Sequence, residues 1–169
     1  MNQRGLTLPE LAITLAIGSI LLGMAIPGYA YLVRSVRFSG LSGELVGALA
    51  YARSEAIKRG VRVTVCKTGN AASCQSAAGW HEGWLVFVDE GVRGVVDGTD
   101  TVLRARADAV DDVTVTVSNF TTHVSYLPSG ISRAPNNLSN GSIHFCLDGV
   151  KRSVILNTTG RVRTSTGSC

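Results

Sequence analysis

Arg161 and Arg163 stand one residue apart in the run Thr159-Gly160-Arg161-Val162-Arg163-Thr164, near the end of a chain of 169 residues. If that run is a strand, alternation puts both guanidiniums on one face, about 7 Å apart. That distance matches the step between successive phosphates of a nucleic-acid backbone. Lys151 and Arg152 lie just upstream and extend the basic run, and hydroxyls such as Ser153, Thr159, Thr164 and Ser165 can donate to phosphate oxygens. No aromatic residue is interleaved, so base stacking and sequence readout are not expected. Charge bookkeeping points to the same place. From Lys151 onward there are four basic residues and no acid, whereas the rest of the chain carries 12 of each sign, so the last 19 residues hold the whole formal excess of +4.

The four cysteines, Cys66, Cys74, Cys146 and Cys169, are the next residues with chemistry. An even count behind an apolar amino-terminal run points to disulfides in an oxidising compartment. Three pairings are open; the favoured one joins Cys66 to Cys74, closing a short loop, and Cys146 to Cys169, pinning the tail to a strand. Zinc is the competing use, but no two cysteines have the Cys-x-x-Cys spacing of a zinc site. Asp89, Glu90, Asp97 and Asp100 invite a calcium reading, yet the EF-hand spacing is missing and a solvated turn is expected there. His81, His123 and His144 are scattered, no serine sits in a nucleophile elbow, and bridged cysteines are not nucleophiles. The sequence therefore predicts no enzyme, no cofactor and no metal.

The elements that must position these groups follow from hydropathy. Hydrophobic residues make up 45% and charged ones 17%, which excludes both a disordered chain and a polytopic membrane protein. Residues Leu11 to Val33 form 23 positions without a charge. As a helix they would extend about 34 Å, enough for a hydrocarbon core of about 30 Å. Gly28 and Ala30 also fit a secretory cleavage site, although the run exceeds the usual signal length. Neither a signal nor a plain anchor explains Glu10, the single charge between Arg4 and Arg34. Beyond the run, Leu41, Leu45, Leu49, Ala52 and Ala56 recur at helical steps and predict an amphipathic helix over 34–59 with Gly60 as its C-cap. Pro27 lies inside the upstream half, where a proline removes a backbone hydrogen bond and kinks or loosens the helix, and Gly40, Gly43 and Gly47 either allow close packing or weaken it.

After Gly60 the period becomes two. Strands are expected around Val61–Cys66, Trp84–Val88, Thr101–Arg104, Val113–Val117, His123–Leu127, Ser142–Cys146 and Ser153–Leu156, forming one antiparallel sheet or two over 60–169. Trp84 and Phe87 should lie on opposite faces of their strand. The stretch Ser129–Gly141 reads as a mobile loop.

The stretch Arg4-Gly5-Leu6-Thr7-Leu8-Pro9-Glu10-Leu11 resembles the type IV prepilin signature. The resemblance implies a leader of residues 1–5 cut after Gly5 by a prepilin peptidase, methylation of Leu6, and an assembly helix over 6–33 that crosses the inner membrane once. It also implies that Glu10 is retained to meet the Leu6 amine of a neighbouring subunit, and that Pro27 marks a segment that loosens in the filament. An unpaired intramembrane charge costs on the order of 3 kcal/mol. An amine about 4 Å away returns about 4 kcal/mol at an effective dielectric of 20. Leu6 and Pro9 depart from the commonest residues of the signature.

The segment Gly79-Trp80-His81-Glu82-Gly83-Trp84-Leu85-Val86-Phe87-Val88-Asp89, with Asp97-Gly98-Thr99-Asp100-Thr101-Val102-Leu103-Arg104, is similar to the FimT/GspH group of minor pilins and pseudopilins. That implies an α+β pilin-like fold: a long amino-terminal helix packed on an antiparallel β domain, held at the inner membrane with a periplasmic domain and later in a pilus or pseudopilus with other pilin subunits. In FimT-like pilins that act in natural transformation, a carboxy-terminal Gly-Arg-x-Arg motif is linked to DNA binding, and Gly160, Arg161, Val162 and Arg163 match it. The leading expectation is a minor pilin that binds DNA without sequence preference for uptake. The alternatives are a structural minor pilin or type II secretion pseudopilin, and a cleaved secreted β domain.

Overall fold

The computed structural model describes residues 7–169, apart from the side chains at positions 25–27 and 30. Gly5 and Leu6, the expected processing residues, lie outside it, as does the Pro27 side chain. The chain divides into two compact units, Met1–Arg37 and Phe38–Cys169. Helix α1 is one element from Leu8 to Arg59 and includes position 27, where the proline is expected to kink or loosen it.

The helix begins with a cap. Thr7 donates its backbone N–H and its hydroxyl to the Glu10 carboxylate, at 3.0 and 2.8 Å, while its carbonyl accepts the Leu11 N–H at 3.1 Å. Thr7-Leu8-Pro9-Glu10 is thus the Thr-x-x-Glu capping pattern, in which the glutamate reaches back to the first orphan donor. Pro9 falls in the first turn, where its missing N–H leaves no hydrogen bond broken. Leu11, Ile13, Leu15, Ile20, Leu21 and Leu22 are each more than half exposed. Among the described residues no helix is long and apolar enough to cross a membrane; the expected span from Leu11 to Val33 includes positions whose side chains lie outside the description.

In the second unit the helical stripe is fully used. Leu41, Leu45, Leu49, Ala52 and Ala56 are all completely buried. Gly60 ends the helix with φ +69° and donates to the Ala56 carbonyl at 3.0 Å, a left-handed C-cap that glycine adopts without a Cβ penalty. A Cβ placed at Gly43 or Gly47 would meet nothing within 4 Å, so close packing within this chain is not what these glycines serve.

Two antiparallel sheets face the stripe. The first has the order β3-β2-β1-β5-β6, from β1 (Val63–Lys67), β2 (Trp84–Val88), β3 (Val102–Arg106), β5 (His123–Tyr126) and β6 (Ser132–Arg133). The second has the order β4-β7-β8-β9, from β4 (Thr114–Ser118), β7 (Gly141–Leu147), β8 (Val150–Leu156) and β9 (Val162–Ser168). Val63, Val65, Val86 and Tyr126 from the first sheet and Ile143, Phe145, Val154 and Leu156 from the second join the helix in one core. Trp84 belongs to that core and Phe87 to a smaller cluster with Cys66 on the opposite face, as alternation requires. Trp80 is buried and donates its indole N–H to the Phe120 carbonyl at 2.9 Å.

Two expectations need correcting. The stretch Ser129–Gly141 is tied down: it contains β6, Ser132 donates its hydroxyl to the Ser139 carbonyl at 2.6 Å, and Arg93 donates to the Asn137 side chain at 2.6 Å and the Pro135 carbonyl at 3.1 Å. The acidic loop is not simply a solvated turn either. Asp89 is buried, paired with Arg62 at 2.6 Å, and accepts from the Thr64 hydroxyl at 2.5 Å and the Gly94 N–H at 2.9 Å. Among the described residues no cluster of ligands could hold a metal ion.

His123 lies beneath Gly94: a Cβ on that glycine would come within 2.3 Å of the His123 ring. Burial, reinforced by Arg93 and Arg62 and opposed by Asp89, lowers this imidazole to about 4. The folded pKa lies below the unfolded value near 6.5, so the neutral ring stabilises the fold above pH 6.5. That contribution, about 3 kcal/mol at most, is lost as pH falls from about 6.5 to 4. His123→Gln should therefore flatten the decline of unfolding free energy over this interval, measured by denaturant titration at several pH values; the wild-type slope in the variant would contradict the assignment. Gly43→Ala should raise stability by about 0.5–1 kcal/mol, since an alanine there gains helix propensity with no clash. A lower unfolding midpoint would show that the glycine is needed for a contact.

Candidate nucleic-acid interface

The basic run is presented by the hairpin of β8 and β9. Seven residue pairs join the strands, from Val150 opposite Ser168 to Leu156 opposite Val162. β9 begins at Val162, so Arg161 itself precedes the strand. Its carbonyl still accepts the Asn157 N–H at 3.1 Å, which continues the ladder by one pair and keeps Arg161 on the alternation of Arg163. The connecting turn closes on Asn157, whose side-chain oxygen accepts the Arg161 N–H and the Thr159 hydroxyl, both at 2.8 Å.

Gly160 is a positioning residue in this turn. It has φ +77°, and a Cβ there would lie 2.2 Å from the Gly130 carbonyl oxygen, a separation that real side chains do not tolerate. Two side chains, one from α1 and one from β5, clamp the turn to its neighbour. Arg53 of α1 donates to the Gly130 carbonyl at 2.9 Å and the Thr159 carbonyl at 3.1 Å. Tyr126 donates its hydroxyl to the Gly160 carbonyl at 3.3 Å. Burial raises the Tyr126 phenol well above its ordinary value, with Arg53 opposing, so it stays a donor at any physiological pH. At the far end of the hairpin, Cys169 bridges Cys146 with Cα atoms 6.1 Å apart, and its N–H donates to the Gly149 carbonyl at 3.0 Å. Cys66 and Cys74 form the second bridge at a Cα separation of 5.6 Å; both distances are ordinary for disulfides.

The four cations expected to form the patch do not stay together. Arg152 turns toward the helix: it donates to the Ser39 hydroxyl at 3.0 Å and lies over the Phe38 ring at 5.9 Å. Its partners in the register, Phe145 and Thr166, lie on the core-facing set of the sheet, whereas Lys151 opposite Cys146 and Gly167 lies on the other. Adjacent strand residues point to opposite faces, so the dipeptide cannot contribute both charges to one surface. Arg152 is thus a structural cation. Arg161 and Arg163 are exposed and Lys151 half-buried, and among the described residues none of the three makes a side-chain hydrogen bond or ion pair.

Sequence reasoning passed over Arg53 and Tyr126, which hold the turn. A half-buried arginine beside the apolar stripe gave no local sign of carbonyl partners 77 and 106 residues away. It also passed over the row on which His144 sits, with one ring nitrogen 2.8 Å from the Ser142 hydroxyl and the other 2.8 Å from that of Ser153. Both nitrogens are occupied by hydroxyls, and among the described residues no carboxylate is hydrogen-bonded to the ring.

A search of curated proteins returned no match. The chain aligns with two crystal forms of the type IV minor pilin FimU of Pseudomonas aeruginosa strain PAO1. One has 16% identity, a TM-score of 0.56 and coverage of 75% of this chain and 91% of that one. The other has 17% identity, a TM-score of 0.57 and coverage of 76% and 87%. At this identity the likeness establishes the pilin fold. The model of the prokaryotic N-terminal methylation motif matches residues 1–26, and that of the type II transport protein GspH matches residues 41–160. With an amino-terminal helix packed on antiparallel sheets behind a methylation motif, the chain belongs to the GspH family, the minor pilin and pseudopilin group that its sequence resembles.

Proposed function

We propose that this pilin-family subunit binds DNA without sequence preference through Arg161, Arg163 and Lys151, with Gly160 positioning the turn, and so supports DNA uptake in natural transformation. The observation that carries this reading is an arginine pair, unpartnered among the described residues, on a hairpin fixed at both ends by the Arg53 and Tyr126 clamp and by the Cys146–Cys169 bridge. Preorganised, hydrated guanidiniums exchange counterions for phosphates with little ordering cost. A few phosphate contacts without base readout give weak binding, micromolar or poorer in the monomer. The family model's description as a type II transport protein favours a second reading, a structural subunit that primes or caps a filament.

The same proposal places the subunit in the inner membrane before assembly, with the chain cut after Gly5, Leu6 methylated, and the apolar run that includes Leu11, Leu15 and Ile20 crossing once. Side chains this exposed in one subunit need lipid or sister helices to cover them. In the membrane Glu10 exchanges its Thr7 donors for the Leu6 amine of a neighbour.

Replacing Arg161 and Arg163 together by Gln should flatten the slope of log K against log salt on duplex DNA by about two units. It should also abolish transformation while filaments still assemble. An unchanged slope contradicts DNA binding at this pair and leaves the structural reading. Mass spectrometry of the native subunit should find methylated Leu6 at the amino terminus, whereas a chain starting at Tyr31 would identify a cleaved secretory signal instead.

A further inference from the structure

The register of the second sheet extends the arginine pair into a line. On β9, Arg163, Ser165 and Gly167 stand opposite Ile155, Ser153 and Lys151 of β8. Those in turn stand opposite Ser142, His144 and Cys146 of β7, which face Ser118, Thr116 and Thr114 of β4. Directly opposed residues share a face, so these twelve form the face turned away from the core, on which Ser153 is itself buried beside His144. The complementary set on β8 and β9, Arg152, Val154 and Leu156 opposite Thr166, Thr164 and Val162, faces the helix side.

The outer set contains no Asp or Glu. The acids nearest in the register, Asp112 before β4 and Asp148 in the turn after β7, both lie past the Lys151 end. Along β9 the outer positions repeat about every 7 Å. Gly167 would leave a gap in that line, but a Cβ built on it would meet the Lys151 Cε at 3.7 Å. The lysine side chain therefore crosses over the glycine onto the edge strand.

Building on the DNA-binding reading above, we infer that one strand of nucleic acid lies along β9, with consecutive phosphates at Arg161, Arg163, the Ser165 hydroxyl and Lys151. The step between outer residues equals the step between phosphates in an extended single strand, so four sites are met without bending the ligand. His144 is not one of the sites, since both its nitrogens are occupied by Ser142 and Ser153. β9 is an edge strand, which leaves one flank of the line open for a polymer to enter and leave.

Alternation provides the test. Ser165 and Thr164 are both exposed neighbours, but they belong to opposite faces. Binding of the full-length chain in neutral detergent to fluorescent oligothymidylates of two to eight nucleotides is measured by anisotropy. Ser165→Asp should weaken binding at least tenfold and Thr164→Asp by less than threefold, with both variants retaining the wild-type melting temperature. Lys151→Gln should flatten the single-strand salt dependence by about 0.7 and end the rise of affinity with length at fewer phosphates. Lys58→Gln, an exposed cation on α1, should change neither. Equal losses in the two Asp variants, or a wild-type slope for Lys151→Gln, overturn the line even if the Arg161/Arg163 double variant still loses binding, in which case DNA binding itself stands. A wild-type chain that binds no oligonucleotide overturns both.

Discussion

The burial of one stripe of α1 sets everything else in the second unit. Leu41, Leu45 and Leu49 are completely inaccessible, and each contributes about 1.5–3 kcal/mol by leaving water. With that stripe fixed, the rotation of the helix is fixed too. Ser39 then faces Arg152, and Arg53 faces the two turns whose carbonyls it binds. The helix is therefore both the wall of the core and the jig for the hairpin.

That arrangement sorts the cations. Arg62 is matched by Asp89 at 2.6 Å and Arg106 by Glu44 at 2.5 Å; Arg53 and Arg152 are matched by carbonyls and a hydroxyl. A guanidinium brought out of water needs such partners, because a charge buried without them costs several kcal/mol. Arg161, Arg163 and Lys151 have no protein partner among the described residues. They stay hydrated at the rim of a sheet whose outer face lacks acids. A polyanion can replace their water and counterions without dismantling anything inside.

Much of this was legible in the sequence because it depends on local spacing. The helical stripe, the strands of period two, the short cysteine loop and the glycine before the arginine pair all declare themselves within a few residues. What stayed hidden depends on distant pairing. Lys151 and Arg152 look equivalent until the register with β7 and β9 decides which parity faces the core. Asp89 reads as a loop acid until Arg62 and Thr64, on a strand and its lead-in 25 to 27 residues away, close over it. Glu10 is different in kind. Its capping pattern with Thr7 was readable, but an apolar run around a lone carboxylate directs attention to a partner in another subunit. In the single chain the carboxylate is satisfied locally by the Thr7 N–H and hydroxyl.

Folding holds Arg53, Arg62 and Arg152 against protein partners and leaves Arg161 and Arg163 exposed to water. Side-chain nitrogen NMR of the arginines, recorded during titration of the full-length chain with oligonucleotide, reads this division residue by residue. Shifts are expected at Arg161 and Arg163, with unchanged signals from Arg53, Arg62 and Arg152. Shifts centred on Arg53 or Arg152, or spread evenly over all five, would contradict it.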